Sequence, residues 1–234
     1  MQMTRRYDFP RAGRELKALM QNPDDLPRVF GLVEALQGTA AERLRAGFEG
    51  TQTGRRLLEQ QPDIVPLLTD RVALRAMPEG SLAHAYLAFV ESEGISAEGL
   101  LEAAAAGERE SAADQFKWQR ARMRDTHDLW HALTGYQGDV LGELALLAFL
   151  LSQHWHPGIA LVVAGAFSKG LAGEGGWLVA EGFVRGKRAA WLPSQPWEEL
   201  LPLPVAEVRA RLNVGAPPQY EPLRSSELRA RGIV

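Results

Sequence analysis

Four side chains that can bind a metal lie inside one of the most apolar parts of this chain. They are His127, Asp128, His131 and Glu143, and their neighbours are large and apolar: Leu129, Trp130, Leu144, Leu146, Leu147 and Phe149. Charged groups in such surroundings are costly to bury unless they are paired or bind an ion. The fold must therefore give these four groups partners, and this requirement constrains it more than any other feature of the sequence.

The two histidines have the spacing of a helical metal-binding pair. On a helix, His127 and His131 lie one turn apart on the same face, so both imidazoles can bind one ion, as in the His-Glu-x-x-His zinc motif. Asp128 lies about 100° round the helix from His127. It either bends back to become a further ligand or orients a ligating imidazole. The rival interpretation is a metal-free, hydrogen-bonded cluster.

Glu143 can reach the same ion only if the helix breaks. On one straight helix it would lie about 18 Å beyond His131, because each residue advances the axis by about 1.5 Å. Gly135 and Gly138 supply a break between two apolar segments. We expect a first helix to end near Gly135 and a second, starting near Asp139, to run back alongside it. Glu143 would then face the ion from the second helix.

Two imidazoles and two carboxylates make a mixed nitrogen and oxygen site for a divalent metal. Zinc, ferrous iron and manganese all accept such a set, and zinc is our first expectation. With Asp128 as a ligand the site is closed and structural, whereas without it the two histidines and Glu143 leave positions free for a substrate. A metal there could polarise a phenolic oxygen or a carboxylate of that substrate.

Two arginines precede the histidines. Arg122 and Arg124 lie about one turn or less before His127, where they could clamp a substrate carboxylate or a lipid phosphate. They could equally serve solubility or form a salt bridge with Glu143. The sequence leaves both interpretations open.

Apolar residues recur at helical spacing along most of the chain, without an alternating strand pattern or a fixed-period repeat. The sequence therefore predicts an all-α, single-domain multi-helix bundle. We expect a flexible arm at residues 1–10, a helical domain at 11–214 and a loosely held tail at 215–234. The predicted elements include a helix at 26–37, a segment at 64–74 that is apolar on one side, a helix capped by Ser81, a helix from Ser96 to Gly107, and a long helix from Ser111 through the histidines.

Composition excludes several classes of protein. The net charge of −3 argues against broad nucleic-acid binding, which needs a basic field. The absence of cysteine excludes disulfides and thiolate chemistry and is compatible with the cytoplasm. The first twenty residues lack the apolar core of a signal peptide, and no stretch reaches the roughly 20 uninterrupted apolar residues of a spanning helix.

The candidate site resembles the signature of the Coq4 family of ubiquinone-biosynthesis proteins. His127-Asp128-x-x-His131, then eleven residues and Glu143, is similar to the metal motif of that family and does not depart from it at any of the four positions. The resemblance runs from about residue 20 to about residue 214. Its other segments are Arg122-x-Arg124, Leu133-x-Gly135, Leu141-Gly142-Glu143, Met77-Pro78-Glu79-Gly80-Ser81 through Tyr86 and Phe89, Gly186-Lys187-Arg188, and Pro196-Trp197-Glu198-Glu199.

The resemblance implies an activity. Coq4-like proteins act on a polyprenylated hydroxybenzoate precursor of ubiquinone (coenzyme Q), and they are associated with oxidative decarboxylation at ring carbon 1, where a hydroxyl replaces the carboxyl. On that basis we expect a metal-dependent decarboxylase (a lyase) in which His127, Asp128, His131 and Glu143 bind the metal. We expect catalytic roles for Arg122, Arg124 and Asp128.

The resemblance also implies partners and an alternative function. Coq4-like proteins are described as organisers of a quinone-biosynthesis complex at the membrane surface. The alternative is therefore a non-catalytic scaffold that binds the prenyl lipid and keeps the metal for structure. In either case we expect a homodimer in the cytoplasm, peripheral to the inner membrane, in contact with other quinone-biosynthesis enzymes and the prenylated precursor, and without nucleic acid.

Overall fold

The computed structural model describes residues 7–22, 26–94, 115–168, 170 and 173–232. The predicted all-α class is confirmed, because no β-strand forms within these ranges. The helices are α1 Phe9–Gln21, α2 Leu26–Ala35, α3 Ala40–Glu49, α4 Gln52–Gln60, α5 Val65–Thr69, α6 Arg71–Arg75, α7 Leu82–Ser92, α8 Lys117–Asp125, α9 His127–Thr134, α10 Val140–Gln153, α11 Pro157–Ser168, α12 Gly176–Arg188, α13 Trp197–Leu200, α14 Val205–Arg211 and α15 Ser225–Ala230. Short 3-10 turns lie at Gly173–Gly175 and Leu192–Ser194. Of the described helices, none combines the length and the apolar character needed to span a bilayer. The helix expected from Ser96 to Gly107 lies outside the described residues.

Side-chain caps fix where several helices begin. The Oγ of Ser81 accepts a hydrogen bond from the His84 backbone N–H at 3.3 Å and starts α7, as the sequence predicts. Thr51 does the same for α4 by accepting from the N–H of Gly54 at 2.9 Å. These caps satisfy N–H groups that the first turn of a helix leaves without a backbone partner.

Contacts group the described residues into two compact units, of which the first takes its residues from 1–41, 136–188 and 218–234. In it α10 packs against α12 at van der Waals distance from backbone to backbone. An added Cβ on Gly182 would lie 2.4 Å from the carbonyl oxygen of Ala145, and one on Gly186 would lie 2.4 Å from that of Phe149. Only glycine fits at these two crossings.

The second unit takes its residues from 42–135 and 189–217. Its aromatic cluster contains Phe48, whose ring meets Trp118 at 5.6 Å and Trp191 at 5.2 Å between centroids, both edge to face. In the same unit α7 packs against α9, which carries both histidines of the candidate site. The site therefore rests on a helix with a packed neighbour.

A helix that the sequence predicts as continuous is interrupted. The long histidine helix is divided at Thr126, whose φ of −96° and ψ of 0° leave the helical region and whose hydroxyl donates to the carbonyl of Arg122 at 2.7 Å. The one-sided apolar segment at 64–74 forms two short helices that meet at Asp70, whose carboxylate accepts the N–H of Ala73 at 2.9 Å and so caps α6. In both places a polar side chain bonds to nearby backbone and competes with the helical ladder.

The C-terminal segment differs from the loosely held tail that the sequence predicts. The hydroxyl of Tyr220 donates to Asp139 at 2.7 Å, and the N–H of Leu223 donates to the same carboxylate at 2.9 Å. Leu228 on α15 is 1% exposed and packs in the core of the first unit with Leu144 and Val179. Burial of this leucine and the hydrogen bonds to Asp139 hold the segment in place.

The break after the histidine helix is confirmed at Gly135. This residue has φ 82°, and its N–H donates to the carbonyl of His131 at 2.8 Å, which closes α9 with a left-handed cap. A Cβ on Gly135 would lie 2.4 Å from the Cβ of Pro217. Both the backbone angle and the space therefore require glycine.

We predict that Gly135→Ala lowers the free energy of unfolding by about 2–5 kcal/mol, since the left-handed angle and the overlap with Pro217 both add cost. Gly80→Ala is the matched control, because Gly80 has φ 72° but nothing within 4 Å of an added Cβ. The control should lose only about 1–2 kcal/mol. Urea denaturation of the two variants measures the difference, and equal losses would contradict the close contact.

Candidate metal site

The helix α9 carries both histidines at its start. His127 and His131 lie one turn apart, with ring centroids 4.8 Å apart and ring planes at 73°. His131 is buried at 1% exposure, whereas the side chain of His127 is 30% exposed. The spacing argument is therefore confirmed, since the helix brings the two imidazoles side by side.

Glu143 lies in the first turn of α10. Asp139 begins that helix by accepting the N–H groups of Leu141 and Gly142 at 3.0 and 3.4 Å. Imidazole nitrogen and carboxylate oxygen are donors that zinc, iron and manganese accept. That Glu143 completes one site with the two histidines stays a prediction.

Asp128 contacts the imidazole next to it in sequence. Its Oδ1 lies 3.4 Å from the Nδ1 of His127, a long hydrogen bond. An Nδ1–H held by a carboxylate leaves Nε2 as the atom for a metal. This contact suits the orienting role that the sequence leaves open for Asp128.

The helix α7 places two aromatic side chains against α9. The ring of Phe89 stacks on that of His131, with centroids 4.7 Å apart and planes 7° apart. Tyr86, one turn earlier, is buried, and burial raises the pKa of its hydroxyl, helped by the negative charge of Asp128 and opposed by Arg71. Sequence reasoning missed the stack on His131, because the helical spacing of Tyr86 and Phe89 only indicates a common face.

Arg122 forms a buried ion pair. Its two Nη groups donate to the two carboxylate oxygens of Glu198 at 2.8 and 2.9 Å, and one also donates to the carbonyl of Gln195 at 3.1 Å. The side chain is 2% exposed and lies over the ring of Trp118. Burial acts to raise the pKa of Glu198, but the hydrogen bonds and charge of Arg122 outweigh it and lower that pKa. The observed salt bridge is thus with Glu198.

Arg124 contacts its neighbour in sequence. Its Nε donates to Asp125 at 2.9 Å. Burial raises the pKa of Asp125, and the charge of Arg124 only partly offsets it. Both predicted arginines therefore have carboxylate partners, and their role as a clamp for a substrate anion stays a prediction.

The chain matches a known family over most of its length. The family model described as "Coenzyme Q (ubiquinone) biosynthesis protein Coq4" matches residues 12–218. The mitochondrial ubiquinone biosynthesis protein coq4 of Penicillium rubens is 32% identical over 213 residues, which cover 85% of this chain and 71% of that protein. The same protein of Talaromyces stipitatus is 31% identical over 210 residues, which cover 85% and 70%. The Pyricularia oryzae protein is 29% identical over 197 residues, which cover 81% of this chain but only 62% of that protein.

A solved structure shares the fold. A crystal structure of a candidate ubiquinone biosynthesis protein from Nostoc punctiforme superimposes with a TM-score of 0.67 at 20% identity. The match covers 90% of this chain and 100% of that chain. At this identity the likeness concerns the fold alone.

We predict that Glu198→Gln lowers the free energy of unfolding at pH 7 by about 1–3 kcal/mol, because it leaves the buried guanidinium of Arg122 without its charge partner. Glu199→Gln is the matched control, since its partner Arg56 is exposed and such pairs contribute about 0–1 kcal/mol.

The pH dependence follows from the lowered pKa of Glu198. A carboxylate whose folded pKa lies below its ordinary value of 4.5 stabilises the fold above that value and loses the effect as pH falls through the folded pKa. The difference between wild type and Glu198→Gln should therefore be full above about pH 5 and shrink in acid. Denaturation series at several pH values measure it, and a difference that is constant with pH would contradict the ion pair.

Proposed function

Since the chain belongs to the Coq4 family of ubiquinone-biosynthesis proteins, we propose that it is a metal-dependent oxidative decarboxylase of a polyprenylated hydroxybenzoate. The observation that carries the proposal is the pair of imidazoles on α9, since the rings of His127 and His131 lie with their centroids 4.8 Å apart. We propose Glu143 as the third ligand. Three protein donors leave coordination positions open for a substrate, which is typical of catalytic rather than structural sites.

The residues fit a divalent metal. Neutral imidazole nitrogen and carboxylate oxygen are ordinary ligands of zinc, and two histidines with one carboxylate also form the facial set of ferrous iron. His127, His131 and Glu143 would hold the ion, with Asp128 orienting His127. When bound, it would supply Lewis acidity that polarises a phenolic oxygen or a carboxylate. Zinc is the first choice, with iron and manganese as alternatives.

The proposed reaction exchanges one ring substituent. The bond between ring carbon 1 and the carboxyl carbon breaks, the carboxyl leaves as carbon dioxide, and a new bond joins ring carbon 1 to a hydroxyl oxygen. This is a two-electron oxidation of the aromatic substrate. It therefore requires an external oxidant, such as dioxygen, which takes up the two electrons and two protons to form hydrogen peroxide while water provides the hydroxyl oxygen.

One observation favours the alternative function. The guanidinium groups of Arg122 and Arg124 already bind the carboxylates of Glu198 and Asp125. An anion clamp in the enzyme would need at least one of them to bind substrate instead. A prenyl-lipid-binding scaffold with a structural metal would not need either arginine to be available, so conversion of a bound substrate separates the two functions.

A membrane location is part of the proposal, because a polyprenylated substrate resides in the bilayer. Large apolar side chains on the first unit support it, since Trp155, Phe167 and Trp177 are about half exposed. Tryptophan at a surface suits the interface between lipid and water. We place the protein in the cytoplasm, peripheral to the inner membrane, as a homodimer in contact with other quinone-biosynthesis enzymes. The relatives named above are mitochondrial proteins.

We predict that protein purified without chelators carries about one divalent metal per chain, and that His131→Ala carries none because a required ligand is lost. Asp128→Asn should weaken metal affinity by about 10–100-fold without removing the site, as expected of a residue that orients a ligand. Elemental analysis and competition with a chelator measure both. His84→Ala is the control, because the imidazole of His84 contacts the carbonyl of Arg75 and is not one of the proposed ligands.

The result against the metal site would be a wild-type protein that carries no ion and gains no thermal stability from added zinc, iron or manganese. Loss of metal in His84→Ala as severe as in His131→Ala would also count against it, because metal binding would then not depend specifically on the proposed ligands.

We predict that the metal-loaded protein converts a prenylated 4-hydroxybenzoate in the presence of an oxidant. Mass analysis should find loss of the carboxyl and gain of a hydroxyl, and His131→Ala should give no product. Saturable binding of the same compound without conversion, under the same conditions and with each of the three metals, would instead establish the scaffold.

A further inference from the structure

We propose that Phe89 is a positioning residue for the metal site, which fixes the plane of the His131 imidazole. This inference rests on the proposed function, because it assumes that His131 binds a metal. It adds a residue that is not a proposed ligand and lies on a different helix, α7. The observation behind it is a parallel stack of the two rings, 4.7 Å between centroids and 7° between planes.

The stack matters because the rotamer of a histidine does not fix the plane of its ring. The side-chain torsion χ2 of histidine joins a tetrahedral carbon to a planar one. Its preferred angles are broadly distributed, so the ring can turn within a wide range. The lone pair that binds a metal lies in the ring plane, and a turned ring therefore points its lone pair away from the ion. A flat side chain against one face of the ring removes this freedom.

The surroundings of His131 complete the restraint. Its exposure is 1%, so water does not compete for the face of the ring. The ring of His127 approaches at 4.8 Å and 73°, so the two imidazoles meet at nearly right angles. Phe89 thus holds the plane of His131 while α9 sets its distance from His127. A site whose ligands are locked by their neighbours binds its metal more tightly than one whose ligands must be ordered first.

The choice of phenylalanine fits this role. Phe89 is partly buried and has no hydrogen-bonding group, so it neither ligates the ion nor competes for its ligands. An aliphatic side chain of similar volume would fill the same space but would not present a flat face. Replacement of the ring by a branched or flexible chain therefore tests positioning separately from packing.

The experiment measures zinc affinity by competition with a chelator and records the visible absorption spectrum of the cobalt-substituted protein. Phe89→Leu should bind zinc about 10-fold more weakly than wild type and change the cobalt spectrum. Phe89→Tyr keeps the flat ring and should restore both. Leu87→Ala is the packing control, because Leu87 is a buried residue of α7 on the side of the helix away from Phe89. It should lower thermal stability and leave affinity and spectrum unchanged.

Each outcome decides the proposal. Wild-type affinity and spectrum in Phe89→Leu would overturn it and leave the proposed function standing. An affinity loss in Leu87→Ala or in Phe89→Tyr as large as in Phe89→Leu would also overturn it, because packing alone would then explain the effect. Absence of metal binding by wild type would remove both this inference and the proposed function. If the leucine variant does not fold, Phe89→Met takes its place in the comparison.

Discussion

The candidate site depends on one backbone constraint, the left-handed conformation of Gly135. Glu143 follows His131 by twelve residues, which on a continuous helix would separate the two by about 18 Å along the axis. A shared ion therefore requires the chain to turn between them. The helix α9 ends at Gly135, where φ is 82° and the space beside Pro217 has no room for a Cβ. A glycine with no chemistry of its own is thus a condition for the proposed metal site.

The second helix of the site depends on an equally specific residue, Asp139. Its carboxylate caps the first turn of α10, where Glu143 lies, and also accepts hydrogen bonds from Tyr220 and Leu223. The helix cap and the contacts with the C-terminal segment use the same buried carboxylate. Both of its oxygens accept hydrogen bonds, which offsets the free-energy cost of burying its charge. The C-terminal segment therefore belongs to the support of α10.

Local signals in the sequence were enough for the helical class, the cap at Ser81 and the break at Gly135, because periodicity, capping residues and glycine act over a few residues. The same signals could not reveal contacts between distant parts of the chain. Arg122 and Glu198 are 76 residues apart, and Asp139 and Tyr220 are 81 apart. The interruption at Thr126 could not be predicted either, because a threonine hydroxyl that donates to a backbone carbonyl one turn earlier also occurs in many continuous helices. Donor spacing alone suggests the metal ligands, whereas the residues that would orient them depend on packing between helices.

The central claim is that His127, His131 and Glu143 hold one metal, and X-ray absorption spectroscopy of the zinc-loaded protein tests it most directly. We expect two imidazole nitrogens at about 2.0–2.1 Å from the zinc and carboxylate oxygen at about 2.0–2.2 Å. One imidazole should disappear from the coordination sphere in His127→Ala and in His131→Ala. A spectrum with only oxygen neighbours, or one that neither substitution changes, would contradict a metal held by these three residues.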